Sequence, residues 1–143
     1  MNHNEGTKSS AKVSVAVASS ATHSHTIDTL GCDYASIDVV FSTFTGSTSS
    51  YASVLKVRES DEANANFADV SGMAVTSAGA GAQSGDNGAV ARFNVDMRGR
   101  KRYLRVVATP GAAATIASVA RLSKVEDMPI NATGAGVNDF ISG

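Results

Sequence analysis

This chain of 143 residues contains one cysteine, two prolines, no tryptophan and only 6% aromatic residues. A single cysteine excludes a disulfide within the chain, so nothing points to an oxidising compartment. No apolar run approaches the roughly eighteen residues that a membrane-spanning helix requires. Because large aromatic side chains are scarce, the core must consist of small and β-branched residues, which favours thin sheet-on-sheet packing over a helical bundle.

Alternation of apolar and polar residues with a period of two recurs along the chain, and a helical period hardly appears. In AVARFNVDM, residues 89–97, the odd-numbered positions are apolar, whereas Arg92, Asn94 and Asp96 lie on the other face. Such strands are half buried, as in an antiparallel sheet. The candidate strands lie near residues 12–18, 25–30, 34–41, 51–59, 67–76, 89–97, 102–109 and 114–123. About eight strands predict an all-β fold, an antiparallel β-sandwich of the jelly-roll type.

The outer parts of the chain differ from this pattern. Residues 1–11 are polar, and residues 125–143 show no period, so both ends are interpreted as extended arms. The chain length suits one domain with a real hydrophobic core. The sequence therefore predicts a β-sandwich domain over residues 12–124 between an N-terminal arm and a C-terminal arm. Within that domain, the alanine-rich segment 113–123 could equally form a helix.

A basic cluster in MRGRKRYLRVVATPG, residues 97–111, is the most unusual feature of the composition. It holds five of the twelve basic residues, which are Arg98, Arg100, Lys101, Arg102 and Arg105. The net charge of the chain is −1; residues 98–105 contain no acid, so the remainder has seven basic against thirteen acidic groups, or −6. This lopsided charge favours oriented association over bulk attraction to nucleic acid.

Three interpretations of the basic cluster compete. In the first, Arg98–Gly99–Arg100 forms a turn that leads into a strand, with Leu104 and Val106 facing the core. Tyr103 and Arg105 would then face outward, and the cluster would dock on an acidic protein partner. In the second, the arginines pair within the chain, with Glu59 or Asp96 on a neighbouring strand. Nucleic-acid binding is the weakest interpretation, because Tyr103 is the single aromatic residue in the run.

Other candidate sites carry less information. His23 and His25 lie on one face of a strand, but a metal site needs further ligands, so we expect two surface histidines. Cys32 is expected to be a small, partly buried thiol. The carboxylates of Glu59, Asp61, Glu62 and Asp69 are expected to form a solvated acidic turn. The glycine-rich residues 79–85 lack the Lys-Ser/Thr ending of a phosphate-binding loop and are expected to be a flexible connection.

These residues form no constellation that supports catalysis. We therefore expect a non-enzymatic protein with no cofactor and no metal site. A carbohydrate- or receptor-binding β-sandwich module would need exposed aromatic residues, for which Tyr51 and Phe67 are the best candidates. Partner contacts are expected at Arg98, Arg100, Lys101, Arg102, Tyr103 and Arg105, and in both arms.

Residues 55–72 and 97–124 resemble a family of small virion proteins of tailed bacteriophages. The shared pattern is a strand that ends in Glu59-Ser60-Asp61, then Phe67-Ala68-Asp69-Val70, and later the strand from Gly99 to Val107. An alanine-rich return strand follows. DTLGCDYASIDVVF, residues 28–41, resembles the opening of the family. The resemblance spans roughly residues 28–124, and the sequence departs from the pattern at Cys32 and in the long 77–88 loop.

Among these virion proteins, the chain is most similar to the jelly-roll decoration, or cement, proteins of phage heads. The resemblance implies a protein that binds the outside of an assembled capsid and bridges neighbouring capsomers. It also implies the major capsid protein as partner, a dimer or trimer, and localisation on the virion after synthesis in the host bacterial cytoplasm. Neither a membrane nor direct nucleic-acid contact is expected.

Overall fold

The computed structural model describes residues 7–42, 51–75, 88–125 and 136–138. These residues contain eight β-strands and no helix. The strands are β1 (Thr7–Val17), β2 (His23–Asp28), β3 (Cys32–Phe41), β4 (Ala52–Ser60), β5 (Ala68–Ala74), β6 (Ala89–Asp96), β7 (Tyr103–Pro110) and β8 (Ala114–Val125). Each predicted strand segment overlaps one of them, and the alanine-rich segment 114–123 is a strand rather than a helix.

The eight strands form two antiparallel sheets that pack face to face. Sheet A has the strand order β1-β8-β3-β6, and sheet B has the order β2-β7-β4-β5. Except between β4 and β5, the chain crosses from one sheet to the other at every connection. This interleaving of two Greek keys is the strand order of a jelly roll. The predicted β-sandwich is confirmed.

Small side chains fill the space between the sheets. Strand β6 alternates strictly between buried and exposed residues, as its sequence predicts. Valine, alanine, isoleucine and leucine make up most of the core. Phe41 is among the largest fully buried side chains, and its ring meets the edge of Tyr51 with ring centroids 5.3 Å apart. The two sheets therefore pack against each other through small and β-branched side chains, with few aromatic rings between them.

The turn predicted at residues 98–100 joins β6 to β7. Arg100 N donates to Met97 O at 3.0 Å, and Gly99 takes a φ of +80°. Only glycine adopts this left-handed conformation without steric cost. The turn prediction is confirmed, and it places the basic cluster at one end of the sandwich.

Replacing Gly99 by alanine should destabilise the protein by about 1 kcal/mol. A Cβ at this position meets no atom within 4 Å, so backbone strain is the whole cost. Urea denaturation should show a shifted midpoint with an unchanged slope. Gly99→Asn is the matched control, and it should recover part of the loss because asparagine tolerates this region. Equal stability of Gly99→Ala and the wild type would contradict the prediction.

The predicted boundary between the N-terminal arm and the domain at residue 12 is wrong. Strand β1 begins at Thr7, and residues 7–11 pair with β8 between Ser123 and Val119. Their polar composition concealed the strand, since β1 lies at the edge of sheet A and part of it faces solvent. Residues 1–6 of the arm lie outside the described residues.

The predicted C-terminal arm is described only at residues 136–138 beyond the end of β8. There Gly136 has a φ of +71°, and a Cβ built on it would lie 2.0 Å from Ser9 O. This close approach places the segment directly against the backbone of β1. The chain therefore returns to the strand at the edge of sheet A.

Candidate functional site: the charged end, the buried histidines and the valine face

Three connections meet at one end of the sandwich, which we call the charged end. They are residues 29–31 after β2, residues 61–67 after β4 and residues 97–102 after β6. Thr29 N donates to Arg102 O at 3.1 Å, and Lys101 N donates to Glu59 Oε2 at 3.3 Å. These bonds bring the basic cluster next to the acidic turn. In the sequence the two are separate features.

Four of the five basic side chains in the cluster pair with carboxylates of the same chain. Arg98 and Arg102 each form a two-point contact, with Asp96 and Asp28 respectively, at distances of 2.6 to 2.9 Å. The looser pairs are Arg100–Glu59 at 3.6 Å and Lys101–Asp61 at 3.9 Å. The interpretation as internal pairs with Asp96 and Glu59 is confirmed. Docking on a partner stays a prediction.

These pairs keep their charges over a wide pH range. The guanidinium of Arg98 hydrogen-bonds Asp96 and, with the Arg98 backbone N–H, lowers the pKa of that carboxyl to about 2. Arg102 lowers the pKa of Asp28 in the same way, mainly through its side-chain hydrogen bonds. Each exposed pair contributes little to stability, because water and salt screen the two charges. The charged end is therefore an ordered ionic surface and not a source of fold stability.

The fifth basic side chain, Arg105, contacts neighbouring strands and connections. Its guanidinium lies 3.8 Å from the centroid of the Phe67 ring, Nε donates to Thr26 Oγ1 at 2.8 Å, and Nη2 donates to Ala63 O at 3.3 Å. Leu104 and Val106, on either side of it, are fully buried. The predicted division of β7 into a core face and an outer face is confirmed, and Arg105 fastens the 61–67 connection to the outer face.

Tyr103 makes contacts within the chain. So do Tyr51 and Phe67, the two aromatic residues that a carbohydrate- or receptor-binding function would use. Arg102 lies 4.9 Å from the centroid of the half-buried Tyr103 ring. Phe67 is buried beneath Arg105, and the half-buried Tyr51 packs against the core at Phe41. Phe67 is buried and its ring is covered by the Arg105 guanidinium, so it presents no open face on which a sugar could stack.

The two histidines are buried, which corrects the expectation of surface histidines. They extend from β2 in sheet B into the space between the sheets, and they expose 1% and 4% of their surface. His23 Nε2 and His25 Nδ1 lie 2.8 and 2.7 Å from the same atom, Ser118 Oγ of β8. Their other ring nitrogens lie 2.8 Å from Ser14 Oγ and Ser10 Oγ of β1. Ser10 and Ser14 of β1 thus have hydrogen-bond partners inside the sandwich.

The chain Ser10–His25–Ser118–His23–Ser14 restricts the protonation of both rings. The Ser118 hydroxyl has one proton, so it can donate to only one ring, and at least one ring must donate to it. Burial, and after it the charges of His23 and Lys12, lower the pKa of His25 from its usual 6.5 to about 4. Burial followed by the charge of Lys12 lowers the pKa of His23. Both rings are neutral at pH 7.

The remaining candidate residues take structural positions. Cys32 is buried, and its Sγ lies 3.7 Å from Leu30 O. Asp69 pairs with Lys56 and Arg58 at 2.8 and 2.9 Å, and Glu62 accepts from Asn66 at 2.8 Å. Within the described ranges, no three His, Cys, Asp or Glu residues are grouped to hold a metal ion. A bilayer-spanning helix is absent from the part of the chain that the structure describes.

Two predicted features lie outside the described residues. The glycine-rich segment 79–85 is one, and most of the predicted 125–143 arm is the other.

Sequence reasoning missed an apolar row on the outer face of sheet A. Register aligns Val13 with Ala117, Ala117 with Val40, and Val40 with Val90, one residue from each strand. Val15 and Val119 flank the row. These six residues form the valine face, and Val15, Val90 and Val13 expose 78%, 64% and 62% of their surface. The signal was visible in VVF, residues 39–41, and AVA, residues 89–91. In both, an apolar residue, Val40 or Val90, also occupies the outward position of the alternation.

Comparison with known proteins leaves the family open. No known family and no curated protein matches the chain. Among solved structures, a chain from the disulfide-linked pili of Bacillus endospore appendages is 15% identical with a TM-score of 0.37, over 82% of this chain and 86% of that one. The GH115 4-O-methyl-α-glucuronidase BtGH115A is 15% identical with a TM-score of 0.34, over 88% of this chain and 17% of that one. At such low TM-scores, neither similarity carries an argument about function.

Proposed function

We propose that this protein is a structural protein of a bacteriophage virion. In this proposal it binds the outside of the capsid and stabilises the shell by bridging neighbouring capsomers. Its partner is the major capsid protein, and it acts without catalysis, cofactor or metal. Many identical sites on a shell give avidity, so each contact can be modest.

The observation that carries the proposal is the convergence of the residues that resemble decoration proteins. Glu59-Ser60-Asp61, Phe67 and the strand from Gly99 are distant in sequence, yet they meet at the charged end. Arg100 contacts Glu59, Lys101 contacts Asp61, and Arg105 covers Phe67. Three of the matched segments therefore lie together on one surface, which supports a shared use of that surface.

The ionic pairs leave the charged end able to bind a partner. A guanidinium has five N–H donors, and a two-point contact with a carboxylate uses two of them. The side chains of Arg98 and Arg102 remain 64% and 42% exposed, so their other donors can reach an acidic or carbonyl-rich surface. The internal pairs hold the guanidinium planes in place, which lowers the entropic cost of docking.

The double variant Arg100→Glu/Arg102→Glu should weaken binding to undecorated heads by about tenfold or more, because rim charges set encounter and register. Purified full-length protein would be mixed with expanded heads, and bound protein would be measured by co-sedimentation and electron microscopy. Lys56→Glu is the matched control, since it breaks an exposed pair with Asp69 on the outer face of sheet B. Normal decoration by the double variant at physiological salt would contradict the assignment of the charged end.

A virion-displayed carbohydrate- or receptor-binding β-sandwich module is the competing proposal. It would be favoured by glycan binding of the isolated protein together with indifference to heads. The two aromatic side chains that such a module would use, Phe67 and Tyr51, make contacts within the chain. This favours the capsid proposal.

A further inference from the structure

We propose that the valine face binds a second copy of this chain, so that two sandwiches associate through the outer faces of their A sheets. The row Val13–Ala117–Val40–Val90 crosses all four strands of the sheet and contains only valine and alanine. An outward row of valines that crosses a whole sheet marks a candidate interaction surface, since the largest apolar patch on a monomeric protein, typically about 300–600 Å², is often functional. This inference does not depend on the proposed function.

The outer face of sheet B supplies the contrast. There Lys56 and Arg58 pair with Asp69, and Arg105 lies over Phe67. Ion pairs and aliphatic stems cover much of that face, where Val54 of β4 is 38% exposed, whereas sheet A exposes five valines. The two faces have the same architecture, so the difference lies in the residues and indicates that sheet A is covered by another molecule.

Composition and size identify the second copy as the occupant. Homodimer interfaces are more apolar than transient ones, and charged residues are depleted at their centres. The first ionic pair on this face, Arg92 with Asp38, lies in the next row and is mutually neutralised. Four strands about 4.8 Å apart, over eight residues, present roughly 500 Å² of flat face, which holds the valine face together with the Arg92–Asp38 pair. Two such faces would bury about 1,000 Å², which is the lower limit for a specific interface.

Twofold symmetry makes the row complementary to itself. In an isologous contact the same patch serves both subunits, so valine meets valine or alanine in either orientation of the axis. Two sheets packed face to face lie about 10 Å apart, a spacing that valine and alanine side chains fill in β-sandwiches. No partner residue of special shape or charge is required.

Sedimentation velocity of the full chain at micromolar concentrations tests the inference. The wild type should sediment as a dimer, and Val13→Glu/Val90→Glu should raise the dimer dissociation constant more than about 100-fold, because it places unpaired charges in the interface. Both positions are more than 60% exposed, so the variant should keep its thermal midpoint. Val54→Glu is the matched control, since it adds the same charge at an exposed valine of β4 in sheet B and should remain a dimer.

A mixing experiment separates self-association from docking on another protein. Val13→Glu/Val90→Glu mixed with Val13→Lys/Val90→Lys should restore the dimer, because a twofold contact sets these positions against themselves or against each other. A monomeric wild type, or a dimer that survives the glutamates, would overturn the inference. The inference would also be overturned if the wild type were a monomer that binds heads and Val13→Glu/Val90→Glu did not bind them. The valine face would then bind a shell protein. A wild type that forms the dimer but does not bind heads would contradict only the proposed function.

Discussion

Acidification from pH 7 to pH 4 should destabilise the folded protein by about 3 kcal/mol through His25 alone. The unfolded chain binds a proton on this ring near pH 6.5, whereas the folded ring does so only near pH 4. Between these values the unfolded state holds a proton that the folded state lacks, so stability falls as the pH falls. The loss is about 2 kcal/mol at pH 5 and reaches its limit below about pH 4.

The sign of the effect follows from the buried chain through Ser118. A protonated ring would have to donate from both nitrogens, and it would place a positive charge beside the other ring and Lys12 between the sheets. The pKa of His23 is lowered for the same reason, so its contribution adds in the same direction. The paired carboxylates act in a separate window. Their pKa values are lowered, so they lose their stabilising effect only as the pH falls below about 3.8.

Urea denaturation at several pH values between 7 and 4.5 measures this effect, and NMR titration of the imidazole nitrogens assigns it to the rings. His25→Gln removes the titrating group, so its stability should change less over the same interval, whatever its stability at pH 7. A wild-type free energy of unfolding that stays constant from pH 7 to pH 5 would contradict the prediction.

Phe41→Ala should reduce the free energy of unfolding by about 3–5 kcal/mol. Phe41 is fully buried at the end of β3, and it closes the core against the half-buried ring of Tyr51. Alanine would leave a cavity, since the antiparallel sheets on both sides cannot close over the lost ring. A loss of this size is a large part of the stability of a typical domain, which is about 5–15 kcal/mol.

An exposed valine of sheet B supplies the control for Phe41. Val54→Ala removes two methyl groups from the outer face of β4, where the side chain is partly in water, and it should cost less than about 1 kcal/mol. Both variants would be compared by urea denaturation. A cost for Phe41→Ala below that for Val54→Ala would contradict this account of the core.

Alternation was a sufficient guide to strands, because the period of two depends only on which residues share a face of the same strand. It placed Leu104 and Val106 in the core and Arg105 outside, as observed. It failed at residues 7–11, where polar side chains of β1 face inward. Ser10 is tolerated there because His25, on a strand of the other sheet, provides its hydrogen-bond partner.

The candidate sites were harder to predict because each depends on contacts between distant residues. The basic cluster and the acidic turn are visible in the sequence, but their pairing follows from three connections that meet at one end of the sandwich. The histidines illustrate the limit further. Two histidines separated by one residue can lie on the surface or in the core. They lie in the core here because Ser118, more than ninety positions later, provides a hydrogen-bond partner between the sheets.

By itself, the sequence determined one all-β domain with half-buried strands, small core residues and a glycine turn after β6, because these properties depend on neighbours along the chain. Tertiary structure alone decided which charges cancel, where the histidines lie and that four outward residues align into one apolar row. Val13, Ala117, Val40 and Val90 become neighbours only through the register of β1, β8, β3 and β6. Register between strands distant in sequence is set by packing and hydrogen bonding of the whole sandwich.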